Sequence, residues 1–178
     1  MTDTSKLFSN YLQTNEVLKW NGRPPVGLLF RKSDIFMIPF TLLWGGFAIF
    51  WTLNAVLIGA PLFFHIVGSF FTLMGLYMII GRFIFDIIKR KYTFYGITNE
   101  RAIIIFTFLG LSIKSFELKS IKEISINLKS NGKGTIIFGD NSEIQSFIWN
   151  DVGQGRPYFE LIDNANQVYN MIRGIKNA

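Results

Sequence analysis

The sequence predicts an α+β membrane protein that combines a hairpin of two transmembrane helices with a seven-stranded antiparallel β-domain and a C-terminal helix. Three observations lead to this fold class. Two uncharged apolar runs follow each other within residues 35–81. Beyond residue 91 the hydrophobic pattern changes from helical to alternating, and the last 16 residues return to a helical pattern. The mean hydropathy of +0.31 is high for a soluble protein and fits a chain that is partly embedded in lipid.

Residues 1–34 are predicted to form a cytoplasmic segment that docks on the β-domain or on the membrane. The stretch TSKLFSNYLQ predicts a short helix lying on the domain or the bilayer. The stretch WNGRP, Trp20–Pro24, has two interpretations. It fits a strand pinned onto the soluble domain, and its tryptophan also fits the membrane–water interface. The residues of the short helix that would face inward are Leu7, Phe8, Tyr11 and Leu12.

Residues 35–91 are predicted to form the transmembrane hairpin and its helical exit. Ile35–Ile58 contains no charge in 24 residues, which as a helix would measure roughly 36 Å against a hydrocarbon core of about 30 Å. Pro61–Gly81 is a second uncharged run, separated from the first only by Gly59-Ala60. A buried helical hairpin of a soluble protein is the alternative, but two such runs in tandem favour the membrane.

The distribution of positive charge predicts that both termini are cytoplasmic. Residues 1–34 carry five Lys or Arg, the turn between the two runs carries none, and more positive charges follow the second run. Residues 1–91 carry nine basic against four acidic residues, whereas residues 92–178 carry nine against eight. The basic pI of 9.6 is therefore a property of the membrane flanks, and no nucleic-acid partner is expected. The basic residues expected at the membrane surface are Arg31, Lys32, Arg82, Lys89, Arg90 and Lys91.

Small residues recur along one face of each predicted helix and indicate close helix packing. We expect this face to hold the hairpin together, with contact between copies of the chain as the alternative. A further expectation is that Asp86 pairs along its own helix with Arg82 and Arg90. The packing residues are Gly45, Ala48, Thr52 and Ala55 on the first helix and Gly68, Thr72 and Gly75 on the second.

Residues 92–178 are predicted to form the β-domain. Seven alternating segments are separated by turn signals such as Asn99-Glu100 and Asn131-Gly132. From Asp163, a good N-cap, an amphipathic helix follows with one apolar face. The order of seven antiparallel strands and one helix predicts a barrel or sandwich closed by that helix. The segments are YTFYGIT, RAIIIFTF, LSIKSFEL, KEISINL, TIIFG, EIQSFIW and PYFELI.

The whole chain resembles the bacterial membrane proteins that carry a pleckstrin-homology-like (PH-like) domain behind a two-helix anchor. The matching stretches are EVLKWNGRP, YTFYGITNERAII, GKGTIIFG and FELIDNANQVYNMI. The resemblance implies a PH-like fold for residues 92–178 and a membrane-bound, non-catalytic role. It implies no known ligand. The residues that carry the family motif are Trp20, Gly22, Arg23, Pro24, Thr98, Asn99 and Arg101.

Within this motif, Thr98-Asn99-Glu100-Arg101 has a structural and a functional interpretation. The structural one is a tight turn whose Asn tolerates left-handed geometry. The functional one gives Arg101 a role in binding. PH domains that bind inositol phospholipids carry several Lys or Arg in the first hairpin loop, and this short loop has one. Inositide binding is therefore not expected.

No feature of the sequence indicates an enzyme, a cofactor or a metal site. There is no cysteine, no phosphate-binding loop and a single histidine, His65, which lies in the second apolar run and is expected to pack at the interface rather than relay protons. The sequence predicts a scaffold or adaptor in the inner (plasma) membrane of a bacterium. It would act through protein contacts, either with copies of itself or with another membrane protein. An anionic-lipid sensor and an accessory subunit of a larger membrane complex are the alternatives.

Overall fold

Two long helices form from the two uncharged runs, and the alternating segments form antiparallel sheets. The computed structural model describes residues 4–31, 33–139 and 157–177. The chain divides into two compact units. The helical unit is Gly27–Ile87, and the sheet unit combines Met1–Val26 with Ile88–Ala178.

The helical unit contains two helices that are long and apolar enough to cross a membrane. The first is α2, Asp34–Leu57. The second, Leu62–Lys91, has 30 residues, of which the last four belong to the sheet unit. Only 17% and 11% of their most apolar windows are buried, whereas the core helix of a soluble protein would be mostly buried. The second helix consists of α3 (Leu62–Leu76), a π-helical turn (Tyr77–Gly81) and α4 (Arg82–Lys91).

The sheet unit contains two antiparallel sheets and two helices. The larger sheet has the order β1-β2-β3-β4, and the smaller has the order β5-β6-β7. A short helix α1, Thr4–Ser9, precedes the first sheet, and α5, Ala165–Asn177, follows the last strand. The strands are β1 (Leu18–Gly22), β2 (Thr93–Thr98), β3 (Arg101–Phe106), β4 (Ser112–Glu117), β5 (Ile124–Leu128), β6 (Gly134–Phe138) and β7 (Tyr158–Ile162).

The two sheets correct the expectation of a closed barrel, because the described strands form separate sheets of four and three strands. Six of the seven predicted segments are strands in the structure. The remaining one, residues 143–149, lies outside the described residues. The seventh observed strand is β1, in which Gly22 pairs with Tyr95 of β2. Two neighbouring strands of one sheet are thus separated in sequence by the whole helical unit.

The main core of the sheet unit lies between the two sheets and α5. Phe159 is fully buried, and its ring lies 4.5 Å from that of Tyr95 and 5.0 Å from that of Phe138. Helix α5 contributes Val168 and Ile172 to the same cluster. This is the docking that the apolar face of the predicted helix requires. The helix begins at Ala165, however, two residues after Asp163, and the carboxylate of Asp163 pairs with Lys133 at 3.1 Å.

A second, smaller cluster lies on the other face of the larger sheet, where α1 packs. Phe8 is fully buried there beside Ile103 and Ile105 of β3. Gly96 of β2 makes room for it, since an added Cβ would lie 2.6 Å from the Phe8 ring. The alternation of β3 therefore serves two cores, with Ile103 and Ile105 on one face and Ala102 on the other.

Candidate functional site

The family-motif residues of the first hairpin meet the N-terminal segment at a buried carboxylate. Arg101 begins β3, and its guanidinium forms a bidentate pair with Glu16, with nitrogen–oxygen distances of 2.8 and 2.9 Å. Thr98, at the end of β2, donates its hydroxyl hydrogen to the same carboxylate at 2.7 Å. The backbone N–H of Gln13 donates to the second carboxylate oxygen at 2.7 Å. We call Glu16, Thr98 and Arg101 the N-terminal clamp.

Hydrogen bonds keep the Glu16 carboxylate of the clamp ionised although it is buried. The side chain of Glu16 is fully buried, and burial alone would raise its pKa. Hydrogen bonds from Arg101, from the Gln13 N–H and from Thr98 outweigh burial and lower the pKa of Glu16 to about 2. The hydrogen bonds that Arg101 donates to Glu16 in turn raise the pKa of Arg101. The pair is therefore ionised throughout the physiological range.

The remaining donors of Arg101 are also occupied by this chain. One terminal nitrogen donates to the carbonyl of Tyr11 at 2.9 Å, and the other lies 3.3 Å from the hydroxyl of Ser115. Asn99 completes the connection, because its side-chain oxygen accepts the N–H of Val17 at 2.7 Å. These contacts favour the structural interpretation of Arg101 over a binding role. The only sequence signal for Glu16 is that it begins the stretch EVLKWNGRP, and nothing in the sequence pairs it with Arg101.

The Trp20–Pro24 stretch lies in the sheet unit rather than standing apart from it. Trp20 stacks on Phe159 with ring centroids 5.8 Å apart, so it joins the main core. Gly22 leaves room for the Trp20 ring, because an added Cβ would lie 2.5 Å from it. Pro24 is fully buried, and Arg23 is exposed. Of the two sequence interpretations, the structure shows the docked strand.

Three of the six predicted membrane-surface cations contact groups of the chain itself, and two of these three form ion pairs. Arg31 pairs with Asp86 at 3.1 Å, and Arg82 pairs with Asp34 at 3.0 Å. Both pairs join the segment at the start of α2 to α4, a long-range link that the sequence did not indicate. Each pair brings together residues that are about 50 positions apart in sequence.

The remaining cations of this set differ in exposure. Arg90 is buried and donates to the carbonyl of Pro25 at 2.9 Å. Lys91 is exposed, with its nitrogen 5.9 Å from the ring centroid of Tyr92. The Lys89 carbonyl accepts the Thr93 hydroxyl at 2.7 Å. Lys32 lies outside the described residues. The set therefore does not form one uniform cationic surface.

The small residues of the two apolar helices lie in the contact between α2 and α3. The closest approach joins Gly45 and Gly75, where an added Cβ on Gly75 would lie 2.8 Å from the Gly45 Cα. Thr52 and Thr72 share a hydrogen bond of 2.9 Å, and Thr52 also donates to the carbonyl of Ala48 at 2.8 Å. The packing is typical of helices in lipid, where small side chains and hydroxyls replace water exclusion. Ala48, Ala55, Gly68 and Gly75 are all buried.

His65 makes a local contact at the start of α3. Its Nδ1 lies 3.3 Å from the carbonyl of Pro61, four residues earlier. In the part of the chain that the structure describes, no group of three or more His, Asp or Glu side chains is placed to hold a metal ion.

A groove in the sheet unit is lined by both polar and apolar side chains. Its volume is about 1020 Å³. It lies among the end of β1, the start of β2 and the first turns of α5. Its lining includes Trp20, Arg23, Lys91, Tyr92, Asn164 and Met171. In comparisons with known proteins no family model matches the chain, and neither a curated protein nor a solved structure does.

Proposed function

We propose that this chain is a membrane-anchored scaffold whose two apolar helices hold a PH-like domain at the cytoplasmic face of a bacterial inner membrane. The outward faces of the helices support the anchoring step. Many of their large apolar side chains are exposed, and so large an apolar surface needs lipid or another protein to cover it. The most exposed of these side chains are Phe36, Leu43, Leu57, Ile58 and Leu62.

Strand order supports the PH-like assignment. A four-stranded meander, a three-stranded meander and a C-terminal helix follow one another, and that is the order of the PH fold. In this assignment the helical unit is an insertion between the first two strands. The clamp would then hold the first strand in place, although the chain returns to the sheet only about 70 residues later.

Topology can be tested directly because the chain has no cysteine. The positive flanks favour cytoplasmic termini, with the short turn at Ala60 outside. Single cysteines at Ala60 and at exposed Lys119 should react differently with an impermeant thiol reagent on whole cells. We expect labelling at position 60 only. Labelling at position 119 from outside would contradict the orientation.

The observation that carries the scaffold function is the edge strand β4. Five of its six residues are exposed, and among the described strands it pairs only with β3. An open edge offers backbone N–H and C=O groups to a strand of another molecule. Its apolar side chain Ile113 is 38% exposed. A second copy that pairs through its own β4 is the most economical partner, because one surface then supplies both sides of the contact.

Cysteine crosslinking along β4 tests self-association. Lys114→Cys and Ser115→Cys lie at the middle of the strand on opposite faces, and Asn170→Cys on α5 is an exposed control. In proteoliposomes under mild oxidation, at least one β4 variant should form a covalent dimer, and the control should not. A monomeric mass in nanodiscs together with no crosslink would remove self-association. An accessory subunit of another complex would then be the better interpretation.

The lipid-sensor alternative is weakened by the internal contacts of the basic residues. Arg31, Arg82 and Arg90 all contact acidic or carbonyl groups of the chain itself. Changing Arg90 would also disturb its bond to Pro25, so Lys91→Gln combined with Arg23→Gln is the cleaner perturbation. The mass in nanodiscs should be the same with and without anionic lipid. A mass that follows lipid charge, and stops doing so in the double variant, would favour the sensor.

A further inference from the structure

The turn between β3 and β4, residues 107–111, presents apolar side chains that the fold does not use. Leu109 is 93% exposed and Leu111 is 53% exposed. Both lie outside the two hydrophobic clusters of the sheet unit. Behind them the ring of Phe108 lies 5.3 Å from that of Tyr92. The turn therefore exposes two leucine side chains next to a contacting pair of aromatic rings.

The backbone conformation at position 109 is one that leucine rarely adopts, so the needs of the fold do not explain why a leucine is there. Leu109 has φ of 57° and Gly110 has φ of 145°, so both residues are in the left-handed half of conformational space. Glycine suits such a position, and asparagine tolerates it, whereas a leucine is strained there. A strained residue whose side chain points into solvent indicates a role outside the core.

The position of the turn suggests what covers it. Thr93, the first residue of β2, pairs with Phe106, the last residue of β3. The N–H of Thr107 donates to the carbonyl of Tyr92 at 3.0 Å. Tyr92 follows directly on Lys91, the last residue of α4. The turn therefore lies at the end of the sheet where the chain arrives from its second apolar helix.

We propose that the apolar turn inserts into the headgroup layer of the bilayer that anchors the chain. The proposal rests on the proposed membrane insertion of the helices but not on self-association. Leucine beside an aromatic pair, flanked by Lys91, is the composition favoured at a membrane–water interface. A protein surface could also cover the turn, but the proximity to the membrane exit favours lipid.

Chain length permits this contact. Helix α4 has ten residues, Arg82–Lys91, and rises roughly 14 Å along its axis from Arg82, the first charge. Thr107, two residues before Leu109, donates its N–H to the carbonyl of Tyr92, the residue that follows α4. The headgroup layer on each side is about 5–7 Å thick. Chain connectivity therefore keeps Leu109 within a few residues of the helix end that would emerge at the headgroups.

Nitroxide labels on the full chain in nanodiscs test the contact. One label replaces Leu111, and a control label replaces Lys119, at the opposite end of β4. We expect the Leu111 label to be shielded several-fold from a water-soluble nickel chelate while oxygen, which concentrates in lipid, still reaches it. The Lys119 label should be open to the chelate. Equal chelate access at both positions would overturn the proposal, and so would a Leu111 label shielded from both reagents, because a protein would then cover it.

Leu109→Asn separates the contact from the fold. Asparagine accepts the left-handed backbone, so the melting temperature should stay the same or rise. In the Leu111-labelled protein this change should raise chelate access several-fold. Unchanged access with an intact fold would overturn the role of Leu109. A failure of the anchoring itself gives a different result, since the protein would then not be recovered with the nanodiscs.

Discussion

Glu16→Gln tests whether the N-terminal clamp holds the first strand on the sheet. The change keeps the size of the side chain and removes its charge. The bidentate partner, Arg101, would then face a neutral amide, and its guanidinium would lose the ionic contact that offsets its desolvation. We expect the segment from Tyr11 to Gly22 to open far more often, while α5 and the smaller sheet keep their protection.

The size of the effect follows from the shift in acidity. The pKa of Glu16 falls from 4.5 to about 2 in the folded chain. By linkage, that difference corresponds to about 3 kcal/mol of stability at neutral pH. Because the side chain is buried, solvent screens this interaction little. An opening equilibrium should shift roughly a hundredfold for such a change, since about 1.4 kcal/mol corresponds to a factor of ten.

Hydrogen exchange of the full chain in nanodiscs measures this opening locally. Peptides that cover β1 report on the clamp, and peptides from α5 serve as the internal reference. Glu100→Gln is the matched control, since Glu100 is exposed on the same turn and should exchange like the parent. A change at β1 of less than a few-fold in Glu16→Gln would refute the clamp. A double-mutant cycle with Arg101→Gln should show strong coupling between the two positions.

Three further outcomes follow from the structure. The folded-state pKa of Glu16 is depressed, so the ionised carboxylate stabilises the fold above pH 4.5, and this stabilisation is lost as the pH falls towards 2. Thermal midpoints of the parent and Glu16→Gln, measured by circular dichroism, should therefore converge over that pH range. Ile172→Asp buries a charge in the main core and should lower the free energy of unfolding, measured with denaturant, by several kcal/mol. Asn170→Asp, on the exposed face of α5, should leave that free energy almost unchanged. A parent-like stability of Ile172→Asp would mean that α5 is not docked. Gly75→Ala forces a Cβ against Gly45 and should lower the thermal midpoint in detergent, and Gly46→Ala, with open space around it, should not; equal midpoints would contradict the close approach of the helices.

Local patterns in the sequence were enough to predict most of the helices and strands. The length of the two uncharged runs predicted helices that could span a membrane, and the alternation after residue 91 predicted all of β2 to β7. One further predicted segment, residues 143–149, lies outside the described residues. Asn131-Gly132 predicted a turn, and Gly132 adopts φ of 78° there. Such features depend on residues a few positions apart, and a sequence displays those relations directly.

The partners across the chain were decided only by the tertiary structure. Asp86 was expected to pair along its helix, and nothing in the sequence indicated its contact with Arg31, 55 residues away. The Arg101 guanidinium was open to a binding role until the fold brought Glu16 to it from 85 residues away. Any carboxylate can accept from any guanidinium, so composition does not specify the pair. Chain topology selects it, because only the fold brings the two groups within hydrogen-bonding distance and removes the water that would otherwise compete for them.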